Sequence, residues 1–196
     1  TFAGSRDTDG IVGNGNAESI GLDRSVVNTG AGDDTIDITA LSFGENTNSW
    51  AIRNSSINTG DGNDVVNLTA EDKAISRGMA MEPAYGAVNS SINLGSGDDV
   101  LSINATGSST SITDPWAWWG GGGNSFAGTY GVISSTIDTG SGNDSITINS
   151  SANSTTAAAN FGGWWGWGWG GTNNSSEAYG VVGSAIDTGA GNDSIT

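Results

Sequence analysis

The sequence predicts an all-β chain wound as a parallel β-solenoid, about five coils of ~20 residues with lengthening loop inserts at one corner. Three observations carry that expectation. One line, Ser-x-Ile-Asn/Asp-Thr-Gly-x-Gly-Asn/Asp-Asp-x-Ile-x-Ile, recurs with small variations from Ser25, Ser55, Ser90, Ser135 and Ser184. Within it apolar and polar residues alternate, as in Ile36 and Ile38, Val66 and Leu68, or Ile146 and Ile148, which is the period of a strand and not of a helix. The residues that separate the repeats all fall at one place, after Ala40, Ala70, Ala105 and Ser150.

In chain order, residues 1–20 match the repeat poorly and are expected to form an atypical capping or connecting segment. DTDG at Asp7–Gly10 reads as a plain turn, because the glutamate that a calcium-binding helix-loop-helix requires is not in place. Residues 21–196 form the solenoid. Each repeat opens on a small residue (Gly21, Ala51, Gly86, Gly131, Gly180) preceded by Ile20, Trp50, Tyr85, Tyr130 or Tyr179, four of them aromatic, which predicts a ladder of stacked rings at one corner. A serine column follows (Ser25, Ser55, Ser90, Ser135, Ser184), with the parity of an inward position, and reads as small side chains filling a thin core. Two columns of aliphatic residues, Val27, Ile57, Ile92, Ile137 and Ile186, then Ile36, Val66, Leu101, Ile146 and Ile195, lie nine apart. They describe a two-sided coil with a strand on each side. The inserts 41–50, 71–85, 106–130 and 151–179 are expected to project from the same corner, giving a wedge that thickens along the chain.

Composition narrows the function. Twenty-one acidic residues stand against five basic ones, a formal charge of −16, which opposes nucleic acid and anionic membrane surfaces. There is no Cys and no His, so thiol nucleophiles, imidazole bases and the usual zinc ligands are missing. No apolar run reaches the ~18 residues of a membrane-spanning helix. The chain starts at Thr1 and stops inside a repeat at Thr196, which reads as a processed product or a section of something longer. The insert with Lys73 and Arg77 beside Glu71, Asp72 and Glu82 reads as a solvated charged loop, and no enzyme is expected.

The repeat places Asp34, Asp64, Asp99, Asp144 and Asp193 at one equivalent point. Coils stacked ~4.8 Å apart would bring these carboxylates into a column of like charges. A hard cation with six to eight oxygen ligands relieves the repulsion, and flexible carboxylates with carbonyls suit calcium better than magnesium. The metal-free alternative keeps the solenoid and lets Asn and Asp side chains hydrogen-bond along the stack. The neighbouring column Asn28, Asn58, Asn93, Asp138 and Asp187 reads as an amide ladder at its Asn end.

TGAGDDTID, TGDGNDVVN, LGSGDDVLS, TGSGNDSIT and TGAGNDSIT resemble the RTX nonapeptide G-G-x-G-x-D-x-U-x, a calcium-binding β-helix repeat. The resemblance implies a parallel β-roll with calcium between adjacent turns, export by type I secretion, and folding in extracellular calcium. It implies carboxylate ligands at Asp34, Asp64, Asp99, Asp144 and Asp193. Carbonyl-bearing turns follow at Gly30 and Gly32, Gly60 and Gly62, Gly95 and Gly97, Gly140 and Gly142, and Gly189 and Gly191. The chain departs from the family in two ways. The first family glycine is Thr29, Thr59, Leu94, Thr139 or Thr188, and only one turn of each coil carries the motif, so a single file of ions is expected.

Seven of the eight tryptophans lie in the two longest inserts: Trp116, Trp118 and Trp119, then Trp164, Trp165, Trp167 and Trp169. They read as a self-association contact, as local packing between loops, or as a platform for glycans. The function expected is an extracellular structural or adhesive module, self-assembling head to tail into a cell-surface filament, sheath or layer through unpaired strand edges. The alternative is a glycan-binding adhesin module that uses the Trp-rich loops on cell-surface polysaccharide. An ice-binding solenoid would need a flat outward array of Thr and Asn, which Ala31, Asp61, Ser96, Ser141 and Ala190 do not supply.

Overall fold

The structure is a computed structural model and describes residues 6–8, 16–76, 79–112, 123–157 and 173–196. Every described element is a strand, and every pairing is parallel between successive coils, which makes a parallel β-solenoid. Three sheets run along it. The first holds β1 (Arg6–Thr8), β4 (Thr35–Gly44), β7 (Val65–Ser76), β10 (Val100–Ile112), β13 (Ser145–Ala157) and β16 (Ser194–Ile195). The second holds β2 (Asn16–Asp23), β5 (Asn46–Arg53), β8 (Met79–Val88), β11 (Asn124–Ile133) and β14 (Asn174–Val182). The third holds β3 (Val26–Ala31), β6 (Ser56–Asp61), β9 (Ser91–Ser96), β12 (Thr136–Asp138) and β15 (Ala185–Asp187). A coil therefore passes through the second sheet, the third and the first, in that order.

The coil is three-sided, not two-sided, because the chain turns sharply just before each serine. Arg24, Asn54, Asn89 and Ser134 sit there at φ of 46° to 51°, and Gly183 at 56°. A left-handed residue costs about 1–2 kcal/mol when it is not glycine, and the backbone recovers hydrogen bonds in return. The Asn54 N–H donates to the Val88 carbonyl at 2.9 Å and the Asn89 N–H to that of Ile133 at 3.0 Å. The serines complete the corner. Ser90 Oγ accepts the Ser55 N–H at 3.2 Å and donates to the Val88 carbonyl at 2.7 Å, and Ser135 does the same between the Ser90 N–H and the Ile133 carbonyl. They fill space as expected, and they also satisfy a turn that would otherwise leave a buried donor open.

Register follows the motif. Ile57 pairs with Val27 and Ile92, and Gly60 with Gly30 and Gly95, so each column of the sequence becomes a column in space. The aliphatic columns point inward: Ile57, Ile92, Ile137, Val66, Leu101 and Ile146 are all buried. Each contributes about 1.5–3 kcal/mol by leaving water, and none is covered until the next coil is laid on it.

The aromatic ladder is present on the outer side of the second sheet. Trp50, Tyr85, Tyr130 and Tyr179 stack with centroids 5.2–5.5 Å apart and planes within 7–12°, and the Arg53 guanidinium caps Trp50 at 4.8 Å. The strand pairing skips the next residue. A Cβ on Gly86 would stand 2.3 Å from Ile103 Cγ2 and 2.4 Å from the Gly131 carbonyl, which explains why that column is small.

The inserts fall at the predicted corner, but their described parts are strand and not loop. They lengthen the strands of the first and second sheets where the two meet: β4 has 10 residues, β7 has 12, and β10 and β13 have 13 each. The coils thus widen along the chain. The tip so formed is lined by small and hydroxyl-bearing residues, with Ser42, Ser49, Ala74, Ala80, Ser109 and Ser125 buried, where the body of the coil uses isoleucine and leucine.

Candidate metal centre

The motif turn joins the third sheet to the first. Both of its glycines hold positive φ in every repeat, from 68° to 104° at the first (Gly189 and Gly60 the extremes) and from 118° to 157° at the second. Space is as restrictive as conformation. A Cβ on Gly95 would stand 2.0 Å from the Gly60 carbonyl oxygen, and one on Gly142 1.8 Å from that of Gly97. The turns are stacked backbone on backbone, and only glycine lets them close.

The turn delivers two side-chain ladders that run in opposite directions. In the column of motif aspartates, the N–H of one coil donates to the carboxylate of the following coil: Asp34 to Asp64 Oδ1 at 2.7 Å, Asp64 to Asp99 at 2.8 Å, Asp99 to Asp144 at 2.9 Å, Asp144 to Asp193 at 3.0 Å. One residue earlier the sense reverses. Asn63 N–H donates back to Asp33 Oδ1, Asp98 to Asn63, Asn143 to Asp98 and Asn192 to Asn143, all within 2.7–3.1 Å. The amide ladder thus forms at this column, a position that the sequence reading did not single out.

The motif aspartates are driven inward. Asp64 and Asp99 are fully buried and Asp144 is 2% exposed. Their Oδ1 atoms are satisfied by the ladder, but Oδ2 of Asp34, Asp64, Asp99 and Asp144 is buried with no hydrogen-bond partner. Burial raises the Asp99 carboxyl to about 6, and the charges of Asp144, Asp64 and Asp98 add to it, against the stabilising N–H of Asp64. A file of unsatisfied anionic oxygens, one per coil, fits the chemistry of a hard divalent ion. Among the described residues no three carboxylates gather at one point, so an ion here would draw on aspartates of adjacent coils with backbone or water oxygens. The carbonyls of Gly95 and Gly140 already accept from the Ser141 and Ala190 N–H groups at 2.9 Å, so they belong first to the ladder.

The threonines that replace the first family glycine have a separate task. Thr59 Oγ1 donates to the Leu94 carbonyl at 2.8 Å, and Thr29 and Thr139 donate to the corresponding carbonyls of Thr59 and Thr188. The hydroxyl tethers successive turns from inside. Trp116, Trp118, Trp119, Trp164, Trp165, Trp167 and Trp169 lie outside the described residues.

The charged insert is not a solvated loop. Lys73 and Glu71 form an ion pair at 2.7 Å on the outer face, but Asp72 and Glu82 are both fully buried between β7 and β8. Burial raises the Glu82 carboxyl to about 9, the Asp72 charge adds to the shift, and the Ala74 N–H, donating at 2.7 Å, opposes it. Burial raises Asp72 to about 7. The hydroxyls of Thr47, Ser42 and Ser49 and the Ser49 N–H face it and draw it back, although none makes a well-formed hydrogen bond to its oxygens. The parity of Val66, Leu68 and Ala70 carried on to Asp72 marks it as inward, and that was the signal available in the sequence.

Comparison with known proteins returned nothing: no family model matches the chain, no curated protein matches its sequence, and no solved structure matches its fold.

Proposed function

We propose that this chain is a calcium-stiffened, RTX-like β-solenoid that serves outside the cell as a structural or adhesive module. The observation that carries the reading is the file of buried, unpartnered aspartate oxygens Asp34, Asp64, Asp99 and Asp144 Oδ2. Without a cation those carboxylates repel one another in a poorly hydrated place, and with one they tie adjacent coils together. Bound calcium supplies charge neutralisation and coordination between coils. The chain's own residues do the rest: the glycines let the turns stack, the aspartate Oδ1 atoms and Thr29, Thr59 and Thr139 hydroxyls hold the register, and Oδ2 faces the ion.

Calcium dependence agrees with an extracellular setting, where the ion is abundant and where a solenoid without disulfides gains rigidity from it. Self-association is part of the reading. The edge strands β14, β15 and β16 leave unpaired backbone groups, with Tyr179, Val181, Val182 and Ile195 exposed beside them. A further coil, from a continuation of this chain or from a second copy, would pair there.

Circular dichroism and light scattering during calcium titration of the chelated protein test both parts. Calcium-dependent gain of β structure followed by end-to-end growth, visible by electron microscopy, is the expected result. A spectrum unchanged by EDTA would remove the calcium reading, and a stable monomer at high concentration in calcium would remove the assembly.

A further inference from the structure

Among the described residues, ten buried side-chain oxygens have no hydrogen-bond partner. Four are the aspartate Oδ2 atoms of the motif column. The other six lie together in the widened tip: both carboxylate oxygens of Asp72, Glu82 Oε1, Thr47 Oγ1, Ser49 Oγ and Thr129 Oγ1. All five residues are fully buried. A native core leaves few such groups, because each unsatisfied one costs about 1–3 kcal/mol. Six in one place point to something that fills the space between them.

The topology brings them into one layer. Asp72 sits on β7 in register with Ser42 and Gly107 of the first sheet. Across the tip, Ser49 and Thr129 are in register with Ala84 in the second sheet, with Thr47 and Glu82 one inward position from that row. The sheets meet here directly, since Glu82 Oε2 accepts the Ala74 N–H across the gap at 2.7 Å. Gly107 lies close against these groups: a Cβ there would stand 3.0 Å from Thr129 Cγ2 and 3.6 Å from Glu82 Oε1. Being glycine, it places no side chain between Asp72 and Glu82.

We infer that the tip holds a second, separate cation site, in which Asp72 and Glu82, assisted by the hydroxyls of Thr47 and Ser49, bind one divalent ion of calcium's size. Five protein oxygens with no nitrogen or sulfur form a donor set that calcium, which takes six to eight oxygens, would complete with water. Two carboxylates match its charge. The site ties β5, β7 and β8 together, and so pins the base of the tip. It does not depend on ions at the motif turns, from which it differs in residues and in position.

The test is equilibrium dialysis of the full chain against radioactive calcium. Asp72→Asn with Glu82→Gln is expected to lower the stoichiometry by one ion per chain, and Asp64→Asn with Asp99→Asn to leave that ion in place. A double variant at Asp72 and Glu82 that folds and binds as many ions as the parent overturns the proposal. If the double variant does not fold, wild-type crystals grown with terbium decide. An anomalous peak among Asp72, Glu82 and Thr47 is expected, and a water or no peak there overturns the site. A parent that binds a single ion, kept by the Asp64/Asp99 variant and lost in the tip variant, would refute the calcium reading of the turns and uphold this one.

Discussion

The backbone N–H of Asp64 donates to Oδ1 of Asp99, thirty-five residues on and one coil up, at 2.8 Å. The same carboxylate holds its other oxygen buried and unpartnered. One half of the side chain closes the turn and the other half awaits a counter-charge. Asp99→Asn separates the two halves, since the amide oxygen still accepts the N–H but the charge is gone. In chelator the variant is expected to be more stable than the parent by about 1 kcal/mol, because a buried like charge is removed. In calcium it is expected to be less stable by about 1–2 kcal/mol. Urea denaturation in EDTA and in calcium reads both, and the same sign in the two conditions would contradict the assignment.

Gly30 and Gly95 share a backbone conformation, φ 99° and 97°, but not their surroundings. Nothing lies within 4 Å of a Cβ on Gly30, whereas one on Gly95 would overlap the Gly60 carbonyl oxygen at 2.0 Å. Gly30→Ala is therefore expected to cost about 1–2 kcal/mol from dihedral strain alone. Gly95→Ala should cost at least twice as much, because two coils must part. Equal losses in denaturant would show that strain, and not stacking, selects the glycines.

Tyr130 is stacked on both sides, by Tyr85 and Tyr179 at 5.2 Å. Each aromatic pair is worth about 0.5–1.5 kcal/mol. Tyr130→Leu should lose about 1–3 kcal/mol and much of the near-ultraviolet dichroism, while Tyr130→Phe should keep both.

Asp72 and Glu82 set the pH response of chelated protein. Their carboxyls lie at about 7 and about 9 in the fold, above the ordinary 3.8 and 4.5. The folded chain thus holds these protons more tightly than the unfolded one. Their contribution is full below the ordinary values and is lost as pH rises through 7 and then 9. Asp99, raised to about 6, acts in the same sense. Asp23 acts oppositely: the Arg53 guanidinium bonded to it lowers it to about 2, so its contribution is present above 3.8 and lost as pH falls through 2. Melting of chelated protein should therefore decline from about pH 5 to about pH 9. Asp72→Asn with Glu82→Gln should flatten that decline.

The repeat made the coil register legible. Gly30, Gly60 and Gly95 lined up by eye are hydrogen-bonded neighbours in space, and the motif aspartates form the column expected of them. The third side of the coil was hidden, because its corner is made by Arg24, Asn54, Asn89 and Ser134, ordinary residues forced into a left-handed turn that no local signal announces. The inserts were read as loops because their strands are built of Ser, Thr, Asn and Ala, whose alternation carries little contrast in hydropathy. The buried pair was missed for a related reason. Glu71, Asp72 and Lys73 look alike in a list of charges, and only the parity inherited from Val66 and Leu68 sends the middle one inside.

The mode of winding also fixes how far such a chain can extend. From Ser25 to Ser184 it advances along its axis by only four steps of ~4.8 Å, about 19 Å, where the same stretch drawn out as a single strand would cover on the order of 500 Å. Length is traded for breadth, and each successive lap is broader than the first. A chain wound this way gains reach slowly, by only ~4.8 Å for each lap added.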